Sequence, residues 1–582
     1  MAKTRTNKNQ KTKSQTTLEN AFLAPLDPAD RLRHEVTSRE AKWDIIFLTI
    51  VLLVLFIAFT RRAFHIDDPL FIWTARHIQT NPTNPYGFSV NWYGLDMPMW
   101  EVAKNPPLVS YYILLAASML GWSEPALHFA FMVPALAAAI GMYLIARRFC
   151  RYPLLAVLAG LLTPVFFVST LTVMSDMMML AFFVFAVHFW IKGLDSNSYG
   201  CLALAGLLIG ISAITKYFGM ALIPLLGVYS IFKKRRVEWR LLYLGIPIAI
   251  LIWYQWTTAH LYGRGLLLDA AAYATEGGSA FGRFSITKAY VAFAFSGGCI
   301  ATILFFSRQL WSRAAIILGL FVAAAVALIL FQARALGSYP LPGDENAHFL
   351  VALQLSIWGV AGISLLSLSA LDFYGRRDAD SLLLFLWMMG TLLFAGFINW
   401  TTNGRSILPM IVPAGILIAR RLEERVQPKQ KEMLPATIVP LALAAVVSFA
   451  VARADSAFAN TSRVAAARIH EKYSAKAQTV WFQGHWGFQY YMEQLGAKPL
   501  DVRQWTPQRG DIVVVPATNT NLFKMPGDWT SLRETFDLPS SGWFATMSQN
   551  AGAGFYADVF GPLPFAIGST AMERFTVFDV KR

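Results

Sequence analysis

Residues 45–60, IIFLTIVLLVLFIAFT, carry no charge, and the stretch that follows at 61–73, RRAFHIDDPLFIW, is dense with ionisable groups. Such an apolar run approaches the roughly 20 helical residues that cross a hydrocarbon core about 30 Å thick. Working outward, similar runs of roughly 16–22 residues follow one another from Trp43 to about Arg453, broken only by short loops. The chain therefore reads as a polytopic membrane protein. Its chemistry must lie in loops, at helix ends, or in a cavity between helices.

Composition agrees. Hydrophobic residues make up 55% of the chain and charged residues only 15%, against about 25% charged in soluble domains. The net charge of +15 does not form one patch, which speaks against a nucleic-acid partner. Cys150, Cys201 and Cys299 fall in or beside spans, so no disulfide framework is expected.

The basic residues set an expected topology through the positive-inside rule. Lys3, Arg5, Lys8, Lys11 and Lys13 place a disordered tail, 1–43, in the cytoplasm. Further cytoplasmic loops are marked by Arg147-Arg148, Lys233 to Arg236, Arg308 with Arg313, Arg376-Arg377, and Arg420-Arg421. Spans are expected at approximately 44–60, 126–146, 153–175, 177–191, 200–215, 217–232, 240–256, 289–306, 314–332, 349–370, 381–399, 406–419 and 434–453, about thirteen crossings. The stretch 108–122 is short and follows Pro106-Pro107, so it is read as re-entrant or interfacial. The fold class expected is an all-α polytopic membrane domain over 44–453 with a long first outer loop, 61–125. A small α/β extracytoplasmic domain follows over 455–582, where AQTVWF and GDIVVVPA read as strands.

Several polar residues stand out against this background. Asp67 and Asp68 lie just beyond the first span; taken alone they read first as a helix start with Asp68 capping before Pro69, and otherwise as groups for proton abstraction or cation binding. Lys104, before Asn105-Pro106-Pro107, suits a phosphate contact or a snorkelling interfacial lysine. Asp176 interrupts apolar sequence in TVMSDMMML, and a charge there needs a cavity or a partner. Lys216, in TKYFG, suits pairing with Asp176 or an anionic lipid phosphate. Arg405, in NGRSILP, suits a bidentate phosphate clamp or snorkelling. Arg264, Arg283, Arg334, Asp344, Glu345 and His348 populate two other outer loops. Asp344 and His348, four apart, make a possible metal pair on a helix. His485 reads as structural.

Taken in order, these motifs resemble the integral-membrane glycosyltransferases of the GT-C type that use polyprenyl-phosphate-linked sugars. The closest group looks like the bacterial relatives of protein O-mannosyltransferase and of the lipid A aminoarabinose transferase. The resemblance covers about 44–420. It rests on the acidic pair Asp67-Asp68 where the family usually shows Asp-Glu, on NPPL, on lone Asp176, on Lys216, and on Arg405 before Leu-Pro. It implies an inverting transfer from a polyprenyl-phosphate sugar to an extracytoplasmic hydroxyl on a protein, lipid or glycan. The family's first-loop aspartate activates the acceptor, a role this resemblance carries to Asp67. It implies donor phosphate binding by Lys104, Lys216 and Arg405, and an orienting role for Asp176. Asn105, Asp344 and His348 are candidate contacts to donor or acceptor. A divalent cation stays open as cofactor, and a bacterial inner membrane is the expected location. The alternative class is a transporter or flippase, for which intramembrane Asp176 and Lys216 would line a pathway.

Overall fold

The computed structural model describes residues 38–581 apart from 277–284, 335, 338, 340, 426–429 and 475–478; the expected tail through 37 and Arg283 lie outside the described residues. Residues 44–582 form a single compact unit, and everything below concerns it.

A helical hairpin shows how sequence becomes structure here. The helix Ser175–Ser196 ends on Asn197 in a left-handed conformation (φ 53°), and Ser198 caps the next helix, Tyr199–Thr215, accepting from the Cys201 N–H. The turn is tight, so the two helices run back to back, with Gly193 closely packed on Leu202. Elsewhere, glycines bring helix backbones together. A Cβ on Gly415 would lie 2.1 Å from the Ala156 carbonyl, and one on Gly362 2.0 Å from that of Phe293. Small residues at helix crossings are how membrane helices gain close packing without a hydrophobic drive between them.

Among the described residues, eight helices are long and apolar enough to cross a membrane, or nine if the pair Pro153–Leu161 and Pro164–Thr170, bent by 70°, counts as one span. The protein is thus a multi-pass integral membrane protein. The expectation of about thirteen full spans is corrected. The stretches 200–215, 217–232, 289–306 and 406–419 form the helices Tyr199–Thr215, Leu222–Lys234, Ile286–Cys299 and Ile411–Arg425, which fail that test of length and composition. At 1.5 Å per residue, helices of this size reach at most about 26 Å. Apolar sequence runs straight through breaks that the backbone makes at Thr163 and Ile300. Leu108–Leu120 is likewise a short apolar helix.

The basic loops meet one another. Arg148 and Lys233 both pair with Asp195, and Arg148 also reaches Asp380. Arg420 bonds Asp372 at 2.8 Å, and Arg376 bridges Asp372 and Glu424.

The last long helix, Gln430–Tyr473, runs well beyond the expected boundary near 453. After it comes a five-stranded mixed sheet in the order Lys498–Pro499, Val480–Phe482, Ile512–Pro516, Glu573–Val580, Thr530–Leu538. Val480–Phe482 pairs in parallel with both of its neighbours and the remaining pairs are antiparallel. Both strands read from sequence are present, with the helix Trp486–Gln494 between them.

Candidate active site

The hairpin sets the first pair of charges. Asp176 stands in the first turn of Ser175–Ser196 and Lys216 at the C-terminal cap of Tyr199–Thr215. An acid suits a helix N-terminus and a cation a C-terminus, and the antiparallel hairpin puts those two ends side by side. The Lys216 ammonium donates to Asp176 Oδ1 at 2.5 Å. The Asp176 side chain is 1% exposed and Lys216 19%.

Asp67 and Arg405 complete the cluster. Ile66, immediately before Asp67, has φ +48°, a conformation rare for a β-branched residue and typical of functional turns. Asp67 occupies the N-cap position of the helix Asp68–Thr80, yet its side chain makes no capping bond. It accepts instead from Arg405 Nη2 at 3.0 Å. Asn403 caps the short helix Gly404–Ile407 by accepting from the Ser406 N–H at 2.9 Å, which fixes where Arg405 starts. Arg405 Nη1 lies 2.8 Å from the Met174 sulfur and 3.9 Å from Asp176 Oδ2. Arg405 Nε and Asp176 Oδ2 are buried without a hydrogen-bond partner. Such orphaned groups are costly, and each has capacity for a further ligand. Asp67, Asp176, Lys216 and Arg405 therefore stand together, though they come from four separate segments.

The other residues singled out from sequence lie elsewhere. Asp68 faces inward: it accepts from the His65 and Val173 N–H groups at 2.9 and 2.8 Å and lies 3.6 Å from Arg62, with both side chains sealed from solvent. Burial pushes its carboxyl up, to about 7, against the opposing pull of Arg62 and those two N–H groups. It neither caps the helix nor reaches the cluster through a hydrogen bond. Lys104 bonds Asp269 at 2.6 Å, and Arg264 holds the other oxygen of that carboxylate. Lys104 also lies 5.3 Å over the Tyr273 ring, and Tyr273 bonds Tyr93, both tyrosines within electrostatic reach of Asp67. The Asn105 carbonyl accepts from the Tyr86 hydroxyl at 2.6 Å.

The pair Asp344 and His348 does not form a metal site. Asp344 caps its helix through the Ala347 N–H, while His348 is buried against Phe331 with a ring nitrogen 3.3 Å from the Leu330 carbonyl. Among the described residues, no group of three or more His, Cys, Asp or Glu side chains has the arrangement of a metal site. In the cluster itself Asp67 and Asp176 each already face a cation. Glu345 pairs with Arg334 in an exposed bridge. His485 is buried, held through Asn519 and Thr520, and kept neutral by desolvation that lowers it to about 3.

A second polar network was not anticipated from sequence. Arg62 is fully buried and donates to the Leu171 carbonyl at 2.8 Å, to Asp455 at 2.8 Å and to the Tyr556 hydroxyl at 3.4 Å. Asp455 in turn accepts from Tyr556 and from Thr546. Only lone Asp455 at the end of an apolar run, in AVARADSAF, hinted at it, by the same logic that marked Asp176.

The family described as dolichyl-phosphate-mannose-protein mannosyltransferase matches residues 104–257, a stretch that includes Lys104, Asn105, Asp176 and Lys216 and stops short of Asp67 and Arg405. The resemblance read from the motifs is thus shared by an independent match to a family of that kind. No curated protein matches the chain significantly. Among solved structures, the chain is similar to the Archaeoglobus fulgidus oligosaccharyltransferase tethered with an acceptor peptide, at 15% identity over 80% of this chain and 64% of that one, with a TM-score of 0.46. It is also similar to ArnT from Cupriavidus metallidurans bound to undecaprenyl phosphate, at 14% identity over 82% of this chain and 93% of that one, with a TM-score of 0.41. A further Archaeoglobus fulgidus oligosaccharyltransferase structure, in complex with Zn and sulfate, matches at 13% identity over 78% and 62% of the two chains, with a TM-score of 0.44. The chain therefore spans just under two thirds of the archaeal protein's length.

Proposed function

We propose that the protein is a membrane glycosyltransferase that moves a sugar from a polyprenyl-phosphate donor to an acceptor hydroxyl, with inversion, and that Asp67 is its general base. The observation that carries this reading is one side chain: Arg405 bonds Asp67 and at the same time faces Asp176, which bonds Lys216. The transfer needs a base beside the attacking hydroxyl and positive charge on the departing phosphate. Here a carboxylate and two cations converge.

The reaction runs as follows. The donor phosphate docks on Arg405 and Lys216 and takes the guanidinium from Asp67, leaving that carboxylate free. Asp67 accepts the hydroxyl proton as the acceptor oxygen attacks the anomeric carbon. The bond from that carbon to the phosphate oxygen breaks, and polyprenyl phosphate leaves with its charge held by both cations. Asp176 keeps Lys216 aimed. Lys104, across Tyr273, attracts the anionic head from the rim. The donor's tail lies in the bilayer, and the strand-rich C-terminal region stands on the extracytoplasmic side of a bacterial inner membrane, with the basic loops facing the cytoplasm.

The test uses membranes containing the full-length protein and a polyprenyl-phosphate sugar labelled in the sugar. Wild type is expected to convert lipid-soluble label into acceptor-bound label. Uptake of label without transfer would instead support a transporter and overturn this reading.

A further inference from the structure

We infer that the segment Gly554–Asp558 is a strap that sets the separation of Asp67 and Arg405, with Tyr556 and Asp558 as its positioning residues. This rests on the reading of Asp67 as base and Arg405 as phosphate clamp.

The backbone and Asp558 of the strap hold the turn that carries Arg405. The Gly404 N–H donates to the Phe555 carbonyl at 2.7 Å, and the Asp558 N–H to the Thr402 carbonyl at 3.0 Å. Asp558 accepts from the Thr401 hydroxyl at 2.5 Å and from the Tyr339 hydroxyl at 2.9 Å. From the opposite side, Lys288 donates to the Asn399 carbonyl at 2.8 Å. The turn 399–405 is thus clamped along its backbone. The central side chain, Tyr556, reaches the segment that carries Asp67. The Tyr556 hydroxyl bonds Asp455 at 3.0 Å and lies 3.4 Å from Arg62, whose guanidinium sits 3.6 Å from Asp68. The Tyr556 ring also lies beneath the Arg405 guanidinium, 5.7 Å away. One tyrosine therefore touches both sides of the candidate site.

Packing explains why the strap has little freedom. A Cβ on Gly404 would lie 2.5 Å from the Phe555 ring, and one on Gly554 2.4 Å from the Ala557 carbonyl. A Cβ on Gly561 would lie 2.1 Å from the backbone of Gly552. The glycines of NAGAGFYADVFG (550–561) thus let the chain fold tightly on itself and against the Arg405 turn. Phe555 is fully buried and Tyr556 nearly so.

Two measurements on the full-length protein test the strap. The first needs no ligand: hydrogen exchange in wild type and Tyr556→Phe. That substitution removes only the hydroxyl, which faces Arg62 and Asp455. Exchange is expected to rise in 399–406 as well as in 62–68, and a rise confined to 62–68, or no rise, overturns the strap. The second is a double-mutant cycle on undecaprenyl phosphate binding. Asp558→Asn loses one hydroxyl acceptor and is expected to weaken binding about tenfold in the wild-type background. In an Arg405→Ala background it should weaken binding no further, because it acts through Arg405. Additive losses would mark general destabilisation and overturn the positioning role. Wild type that fails to bind the lipid would overturn the donor reading, and exchange would then decide the strap alone.

Discussion

Two clusters of aspartate and arginine are built on neighbouring residues, Asp67 and Asp68, and differ in almost everything else. Asp68 and Arg62 belong to a sealed network in which two backbone N–H groups donate to Asp68, and Arg62 and Tyr556 donate to Asp455. Asp67 and Arg405 are partly exposed, at 26% and 16% of the side chain, and leave Arg405 Nε and Asp176 Oδ2 without hydrogen bonds. Each cluster keeps one guanidinium Nε without a partner, Arg62 in the first and Arg405 in the second, so what separates them is access: the first is closed to solvent and the second is open to it. A charged cluster can receive a ligand only where its unspent hydrogen-bonding capacity lies beside a solvent path.

The largest expected effect breaks the sealed cluster. Arg62→Ala leaves Asp455 and Asp68 buried without their cation, a loss of about 3–5 kcal/mol. It should appear as a strongly lowered unfolding midpoint in detergent; an unchanged midpoint would mean that the network contributes little. Next comes the open cluster. Arg405→Ala is expected to reduce sugar transfer by about 10²–10³-fold with a far smaller effect on the unfolding midpoint, because it leaves Asp67 in reach of solvent and Asp176 still paired with Lys216. If the two substitutions had matching effects on stability, the contrast between the clusters would collapse.

The smallest effect concerns Asp68 and pH. Its unfolded carboxyl titrates near 3.8 and the folded one at about 7, so the folded state binds the extra proton between those values. The contribution to stability is full below 3.8 and is lost as pH rises through about 7. Asp68→Asn removes this titration. The unfolding midpoint of wild type relative to Asp68→Asn should therefore fall between about pH 5 and about pH 8. A constant difference would show that Asp68 keeps one protonation state across that range.

Much of this was legible in the sequence for a physical reason. Charges inside apolar sequence are expensive, so Asp176, Lys216 and Arg405 announced themselves, and the structure brings them to Asp67. Span count was not legible, because hydropathy averages over helix breaks such as those at Thr163 and Ile300. The strap and the buried network were invisible for another reason. Arg62 and Asp455 are 393 residues apart, and nothing in the local pattern of either names the other. Asp68 shares its neighbour's chemistry, but adjacent residues at a helix start point about 100° apart, so the two carboxylates meet different surroundings.

The role of Asp67 beside Arg405 can be measured most directly by separating lipid binding from transfer in Asp67→Asn. Removing that carboxylate frees the guanidinium, so undecaprenyl phosphate should bind at least as tightly as to wild type. Sugar transfer should fall by about 10²–10⁴-fold. Weaker lipid binding, or transfer at the wild-type rate, would contradict the assignment of Asp67 as the base that shares Arg405 with the departing phosphate.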